Sequence, residues 1–337
     1  MIMKFIFPFL YSFLGSTVAI WFLVRVENGY KAKPSSLRLS LRRLGGVVVI
    51  AVFVLFVLFD KNLVITRPIA GILVGGLTIL LFGLWDDLKN LNWKWQLVFQ
   101  IVVAIVAIAF GVRSGFISNP FGGAISLDNP AIYYIFYILY FLVFLNALNW
   151  LDGTDGLAGG VTLASLGAVF FLSLKPEVNQ PAVAILCAIA GGAVLGFLVF
   201  NFNPAKILAG TSGAWFFGFI LASLSIFAGA KIATVMTAAL IPILDLARVI
   251  SERWQSGHSI FQKDRRHLHY LLLERGIGEQ KIFFLYFFAS VLIGTLALNL
   301  NGIGKLVMMA IVALIYFWIV LCKIKPRSKF SSESSRQ

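Results

Sequence analysis

A polar, glycine-rich stretch at residues 146–160, NALNWLDGTDGLAGG, follows a run of almost wholly apolar residues. It spaces two amides and two carboxylates at intervals of three: Asn146, Asn149, Asp152 and Asp155. That interval predicts one stripe along a helix end. Carboxylates near a membrane boundary are costly to desolvate, so they favour a site with a charged partner over a simple polar loop. The glycines would let the backbone approach a ligand closely.

A second carboxylate pair, Asp86 and Asp87, lies in GLWDDLKNLNWKWQL (83–97). Adjacent carboxylates repel each other, so the pair is favourable mainly beside a metal ion or a cationic side chain such as Lys94. Mg²⁺ suits such a place because it takes one or two carboxylates together with phosphate oxygens and water. The alternative is an interfacial helix end, with the neighbouring tryptophans as an aromatic belt.

Two further polar segments could meet phosphate. FNFNPAKILAGTSG (200–213) puts Asn203 in a turn and starts a helix at Thr211, whose backbone could face a phosphate or whose hydroxyl could cap the helix. A longer segment follows Asp245 and is basic, with Arg253, Arg265, Arg266, His267 and His269. No cysteine accompanies these histidines, so a diphosphate site is favoured over zinc.

The elements that must position these residues are apolar helices. Of the 337 residues, 60% are hydrophobic and 12% are charged, which indicates a polytopic membrane protein. Helices are expected because lipid offers the backbone no hydrogen-bond partners. We predict an all-α protein with one transmembrane catalytic domain at 1–322 and about eleven spans, at 5–24, 45–59, 68–85, 97–112, 131–148, 160–174, 182–200, 213–229, 232–250, 282–299 and 304–322.

The positive charge sets the predicted orientation. A net charge of +14 would suggest nucleic-acid binding in a soluble protein, but here it marks the cytoplasmic side, and no nucleic acid is expected. Most Lys and Arg residues fall in alternate loops and in a basic, Ser-rich tail at 323–337, which we predict to be disordered. The N-terminus is therefore predicted outside and the C-terminus inside. The cytoplasmic loops are 25–44, 86–96, 149–159, 201–212 and 251–281, and they also hold most acidic residues.

Taken in order, these motifs resemble the polyprenyl-phosphate N-acetylhexosamine-1-phosphate transferase superfamily, glycosyltransferase family 4. The chain is most similar to the branch that uses UDP-N-acetylglucosamine. The resemblance implies a bacterial cytoplasmic membrane enzyme that transfers a sugar-1-phosphate from a UDP-sugar to polyprenyl (undecaprenyl) phosphate and releases UMP. It implies Mg²⁺, or Mn²⁺, as cofactor, an active site facing the cytoplasm, and allows a homodimer.

The same resemblance implies roles for individual residues. The catalytic group would be Asp86, Asp87, Asp152, Asp155 and His267. The four aspartates would also bind the metal, with Thr211 where the family usually has a fifth. The groups that bind substrate would be Lys94, Asn146, Asn149, Asn203, Arg253, Arg265, Arg266 and His269.

Three departures from the family pattern define the alternatives. Thr211 replaces an aspartate, so one alternative is a catalytically silent relative that only binds polyprenyl phosphate. Tyr270 stands where the family's His-x-His-His ends. The three consecutive histidines of the peptidoglycan branch are absent, which ranks phospho-MurNAc-pentapeptide transferase second. A transporter is disfavoured because the predicted spans hold almost no ionisable residue near their centres.

Overall fold

The structure, a computed structural model, describes residues 2–29, 41–227, 232–260 and 264–323. These ranges are mostly helical, as predicted. The helices are α1 (Met3–Gly29), α2 (Gly45–Phe59), α3 (Arg67–Lys89), α4 (Trp93–Ala109), α5 (Pro130–Leu151), α6 (Leu157–Ser173), α7 (Pro181–Asn201), α8 (Gly210–Phe227), α9 (Ile232–Ala238), α10 (Leu240–Gln255), α11 (Leu268–Glu274), α12 (Glu279–Asn299) and α13 (Gly302–Trp318), which continues as a π-helical turn at Ile319–Lys323.

Seven helices in the described ranges are long and apolar enough to cross a membrane: α1, α3, α5, α7, α8, α12 and α13. The protein is therefore an integral membrane protein. Three shorter apolar helices, α2, α4 and α6, occupy the positions of other predicted spans.

The predicted span at 232–250 is broken in two. Helices α9 and α10 meet at a bend of 79°. Pro242 lies in the first turn of α10, where its missing N–H costs little. Its ring would clash with the carbonyl of Ala238 in a continuous helix, so the chain bends where the sequence predicted one apolar span.

Helix α8 lies at the centre and packs against α2, α3, α5, α6 and α7. Glycines permit this packing. A Cβ atom on Gly46 would lie 2.1 Å from the backbone N of Gly213, and one on Gly83 would lie 2.4 Å from Cα of Ser212. Such close backbone contact is a main source of helix association in lipid. It brings the end of α3, with its two aspartates, against the start of α8.

Helix α1 packs along α7 through small polar residues. The hydroxyl groups of Ser12 and Ser16 donate to the carbonyls of Ile189 (2.6 Å) and Ala193 (2.8 Å). These bonds satisfy buried hydroxyls inside an apolar interface. The N-terminal helix is thereby fastened to the helix whose end precedes the 201–209 loop.

A short antiparallel hairpin joins α4 to α5. Strands β1 (Phe116–Ser118) and β2 (Ala124–Ser126) pair with Ile117 opposite Ile125. The turn has Gly122 and Gly123 at positive φ, a conformation that favours glycine. The all-α prediction missed this hairpin. The predicted disordered tail lies outside the described residues beyond 323.

Candidate functional site

Two adjoining cavities open where α3 and α5 end and α8 begins. The first, here called the carboxylate cavity, measures about 320 Å³ and is lined by Arg43, Asp86, Asp87, Asn90, Asn149, Asp152, Gly153, Thr154, Asp155, Asn201, Leu208, Gly210 and Thr211. The second, the amide cavity, measures about 680 Å³ and is lined by Arg43, Leu91, Asn92, Trp93, Gln96, Leu97, Gln100, Asn146, Asn149, Trp150, Asp152, Gly153, Arg253, Asp264, His267 and Tyr270. The residues common to both are Arg43, Asn149, Asp152 and Gly153.

Asp87 caps the start of α8. Its carboxylate accepts hydrogen bonds from the backbone N of Thr211 (2.7 Å) and of Ser212 (3.2 Å), and from the Ser212 hydroxyl (3.1 Å). An anion at a helix N-terminus satisfies free amides and matches the helix dipole. The two amides that the sequence offered to a phosphate are therefore already used. Gly210, at φ +67°, leaves room for this carboxylate, because a Cβ there would lie 2.6 Å from it.

Asp86 is held by neutral donors. It accepts from the Thr211 hydroxyl (2.6 Å), from the backbone N of Leu91 (3.0 Å) and from Nε2 of Gln96 (2.9 Å). The suggested countercharge, Lys94, is exposed and lines neither cavity; its Nζ lies 5.8 Å from the Trp93 ring. Hydrogen bonds, not a lysine, thus stabilise this carboxylate.

The stripe predicted at 146–155 is only partly helical. Helix α5 ends at Leu151, so Asp152 and Asp155 lie beyond it. Asn146 exchanges hydrogen bonds with the Gln100 amide, at 2.8 and 3.3 Å. Asn149 and Asp152 face both cavities, and neither side chain has a hydrogen-bond or ion-pair partner in the described part of the chain. Both side chains are therefore available to a ligand.

Asp155 links the loop that follows α5 to the loop that follows α7. Its Oδ2 accepts from Nδ2 of Asn203 (3.0 Å) and from the backbone N of Ala205 (2.8 Å). Asn203 also donates to Glu279 (3.0 Å), and it lines neither cavity. The structure thus places Asp155 at the wall of the carboxylate cavity and Asn203 behind that wall.

Asp152 is the carboxylate best suited to a cation. Desolvation raises its pKa well above the ordinary value, and the negative charges of Asp87 and Asp155 raise it further. A bound cation would relieve that repulsion. Among the described residues no three His, Cys, Asp or Glu side chains are grouped to hold a metal ion. The Asp152 carboxylate, which has no partner among the described residues, is the donor that this cavity would offer a hard cation, beside ligand phosphates and water.

The basic segment is largely paired within the protein. Arg253 is buried and binds Asp264 through Nε and Nη2, both at 3.1 Å, with its guanidinium 4.6 Å from the Trp150 ring. Burial alone would raise the pKa of Asp264, but Arg253 and Arg266 hold it below its usual range. Arg265 is exposed, 5.7 Å from the Tyr270 ring. Arg253 therefore shapes the cavity wall, while Arg265 keeps an unpaired charge in the described region.

The two histidines stack beside the amide cavity. His267 precedes α11, and its Nδ1 lies 2.7 Å from Oδ2 of Asp245. The ring of His269 lies parallel to it, at 5.7 Å and 7°. His269 is wholly buried with neither ring nitrogen hydrogen-bonded in the described region, and burial lowers its pKa to about 4. His269 is thus neutral near pH 7, and only His267 lines the cavity.

Residues that sequence reasoning missed complete the amide cavity. Gln96 and Gln100 lie four residues apart on α4, so they share one face of an otherwise apolar helix. Gln100 lies inside the predicted span 97–112 and Gln96 lies just before it, so a polar residue within that span was a usable signal. Trp150 and Asp264 gave no comparable signal, because their places depend on how distant loops meet.

Residues 69–229, which include every aspartate around the carboxylate cavity, match the model of glycosyl transferase family 4. The chain is 30% identical over 247 residues to a decaprenyl-phosphate N-acetylglucosaminephosphotransferase of Mycobacterium tuberculosis, covering 66% of this chain and 61% of that protein. It therefore spans less than two thirds of that relative's length.

Two other relatives are covered more fully. A probable undecaprenyl-phosphate N-acetylglucosaminyl 1-phosphate transferase of Bacillus subtilis is 26% identical, over 76% of this chain and 73% of its own. A phospho-N-acetylmuramoyl-pentapeptide-transferase of a Geobacillus species is 28% identical, over 89% of this chain and 98% of its own. Residues 69–229 of this chain therefore match glycosyl transferase family 4, the family that its motifs resemble.

Proposed function

We propose that the protein transfers a sugar-1-phosphate, N-acetylglucosamine-1-phosphate in the first instance, from a UDP-sugar to polyprenyl phosphate. UMP leaves, and a lipid-linked diphospho-sugar for cell-envelope polysaccharide synthesis stays in the membrane. The observation that carries this proposal is the Asp152 carboxylate and the Asn149 amide, which have no partner among the described residues and lie at the junction of two cavities within the stretch that matches the family model.

The site's position supports a reaction between a membrane lipid and a soluble nucleotide. Both cavities lie at the ends of apolar helices, where a lipid phosphate in the headgroup layer could meet a water-soluble substrate. The charge bias of the loops supports a cytoplasmic site in a bacterial inner membrane, with the N-terminus outside. Counting α2, α4, α6 and the bent α9–α10 pair with the seven longer helices gives the eleven spans of the proposal.

In this proposal Asp152 would hold Mg²⁺ or Mn²⁺ together with substrate phosphates. The ion would supply charge neutralisation for the phosphates between which transfer occurs. Asp86 and Asp87 keep the wall rigid through their bonds to the start of α8. Asn149 offers its amide to substrate oxygens at the junction of the two cavities.

A second candidate is the peptidoglycan-type transferase. The observation in its favour is the near-complete coverage of the Geobacillus relative, at 98% of its length. The nucleotide substrate separates the two candidates, because the peptidoglycan-type enzyme would use UDP-MurNAc-pentapeptide. A silent lipid-binding relative stays a third reading, because the Thr211 hydroxyl is committed to Asp86.

The test is a transfer assay on the purified full-length protein. Polyprenyl phosphate would be supplied with labelled UDP-N-acetylglucosamine or UDP-MurNAc-pentapeptide, each with Mg²⁺ and with EDTA. We expect metal-dependent labelled lipid and UMP from the first nucleotide, and a loss of at least 100-fold in kcat for Asp152→Asn. If labelled lipid forms only from UDP-MurNAc-pentapeptide, the protein is instead the peptidoglycan-type transferase. Intact lipid binding without any UMP release would leave the silent relative.

A further inference from the structure

A buried carboxylate behind the amide cavity gathers donors from three helices. Asp245, on α10, is 4% exposed. Its Oδ2 lies 2.7 Å from Nδ1 of His267, and its Oδ1 accepts from the backbone N of Leu268 (3.0 Å), from Nη2 of Arg248 (3.0 Å) and from the Tyr316 hydroxyl (2.7 Å). Asp245 is thus fully hydrogen-bonded, and it cannot rotate without breaking several of these bonds.

This arrangement fixes the imidazole of His267. A carboxylate at Nδ1 requires the ring proton there, so Nε2 is the nitrogen left for a ligand. Trp150 packs edge-on against the ring at 5.3 Å, and His269 stacks on it. The ring is therefore locked in both orientation and tautomer where it lines the amide cavity.

Tyr316 reaches this cluster from the last helix. Helix α13 is largely exposed, and Met308 and Tyr316 are the only residues of Gly302–Trp318 that are buried. The Tyr316 hydroxyl donates to Asp245 and accepts from Nε of Arg248 (2.9 Å). A hydroxyl buried in a mostly lipid-facing helix is costly without such partners. The contact ties a peripheral helix to the orientation of a cavity histidine.

We propose that Asp245 and Tyr316 are positioning residues, which hold His267 with Nε2 presented to the UDP-sugar bound in the amide cavity. The inference rests on the proposed function for its substrate, but not for its geometry. Asp245 acts on the ring directly. Tyr316 acts one step further back, by keeping the carboxylate oxygens in line with Nδ1.

The experiment compares Tyr316→Phe and Asp245→Asn with a matched control, Tyr286→Phe. Tyr286 is also buried, at 1% exposure, but its hydroxyl has no hydrogen-bond partner in the described region. Each protein would be measured for kcat, for KM of the UDP-sugar and for thermal unfolding. Imidazole ¹⁵N shifts would report the tautomer of His267, assigned through His267→Gln; the chain has only 3 histidines.

We expect Tyr316→Phe to lower kcat roughly tenfold with little change in KM, because ring orientation is relaxed while the cavity is kept. Asp245→Asn should lower kcat at least 100-fold and shift His267 toward the Nε2-protonated tautomer, since an amide can donate to Nδ1. Tyr286→Phe should change neither kcat nor the ¹⁵N shifts of His267. If Asp245→Asn fails to fold, Tyr316→Phe decides the kinetic result.

Equal kcat for Tyr316→Phe and Tyr286→Phe, with unmoved His267 shifts, would overturn the inference. So would a loss of activity matched by a loss of folded protein at unchanged shifts. If the wild-type protein transfers nothing, the proposed function fails by itself. The ¹⁵N shifts of Tyr316→Phe and Asp245→Asn against wild type still decide whether these residues fix the tautomer of His267.

Discussion

Thr211 joins the two carboxylates of the site. Its hydroxyl donates to Asp86 and its backbone N donates to Asp87, so a single residue satisfies part of both. A carboxylate at this position would lose the first bond and place a third negative charge beside the pair. Such a cluster is favourable only with a cation present. The threonine thus lowers the charge that the site presents to a metal.

We predict that Thr211→Asp lowers the Mg²⁺ concentration for half-maximal transfer by roughly tenfold, because hard cations bind more tightly as carboxylates are added. The same variant should unfold at a lower temperature in EDTA, where three aspartates repel one another. Thr211→Asn is the matched neutral control and should gain no metal affinity. Titration of transfer rate against Mg²⁺ checks this, and an unchanged midpoint for Thr211→Asp would count against the account.

His269 makes folding sensitive to acid. Its pKa of about 4 lies below the 6.5 of an unfolded histidine, because burial disfavours the charged ring. The folded state therefore binds fewer protons, and its stability is complete above about pH 6.5 and falls as pH drops toward 4. The gap between the folded and unfolded pKa values of His269 corresponds to a loss of at most about 3 kcal/mol in the free energy of unfolding.

The variant His269→Phe removes this titration while keeping an apolar ring. We predict that the unfolding temperature of the wild type falls more between pH 7 and pH 5 than that of His269→Phe. Thermal scans in one detergent at both values measure the difference. Parallel slopes for the two proteins would show that His269 is not the group that responds to acid.

At the scale of elements, the crossing of α2 and α8 fixes the geometry of the carboxylate cavity. The backbone N of Gly46 donates to the carbonyl of Ala209 (3.0 Å), and that of Gly45 to the carbonyl of Leu208 (3.1 Å). These bonds hold the start of α8 against the residues that follow Arg43. Any side chain at 46 would separate the two helices, since its Cβ would meet backbone atoms, which cannot rotate away.

We predict that Gly46→Ala destabilises the fold by about 3 kcal/mol or more and reduces transfer, because this crossing carries Thr211 and Asp87. Gly167→Ala, on α6, is the control. A Cβ there would meet nothing within 4 Å, so it should be neutral or slightly stabilising. Unfolding temperatures of the two variants decide the matter, and equal values would refute the close-packing argument.

Elements that depend on composition were predictable, and those that depend on contact between distant segments were not. Apolar runs located the helices, and charged residues located the ends at which Asp86 and Asp152 lie. The break before α10 was missed although Pro242 was visible, because hydropathy over 232–250 hid it. The roles of Asp155 and Arg253 as internal partners could not be foreseen, because Asn203 and Asp264 reach them only after folding.

At the scale of the whole molecule, the orientation of the protein in the membrane must place every loop of the site on the same side. The backbone N of Asp155 donates to Glu279 (3.3 Å), so the start of α12 lies on the same side as the cavities. Asp60 and Lys61 lie in the turn between α2 and α3, at the ends of those helices away from Arg43 and Asp86. If α2 and α3 both cross the membrane, the turn that holds Asp60 and Lys61 faces the compartment opposite to the one that the cavities face.

We therefore predict that Lys61→Cys reacts with a membrane-impermeant maleimide on intact cells, and that Lys281→Cys reacts only after permeabilisation. Both side chains are exposed, and both variants would be made in a background carrying Cys187→Ala and Cys322→Ala. The physical reason is the retention of Lys- and Arg-rich loops on the cytoplasmic side. The reverse labelling would turn the cavities outward, away from cytoplasmic nucleotide sugars, and the proposed reaction would then fail together with the orientation.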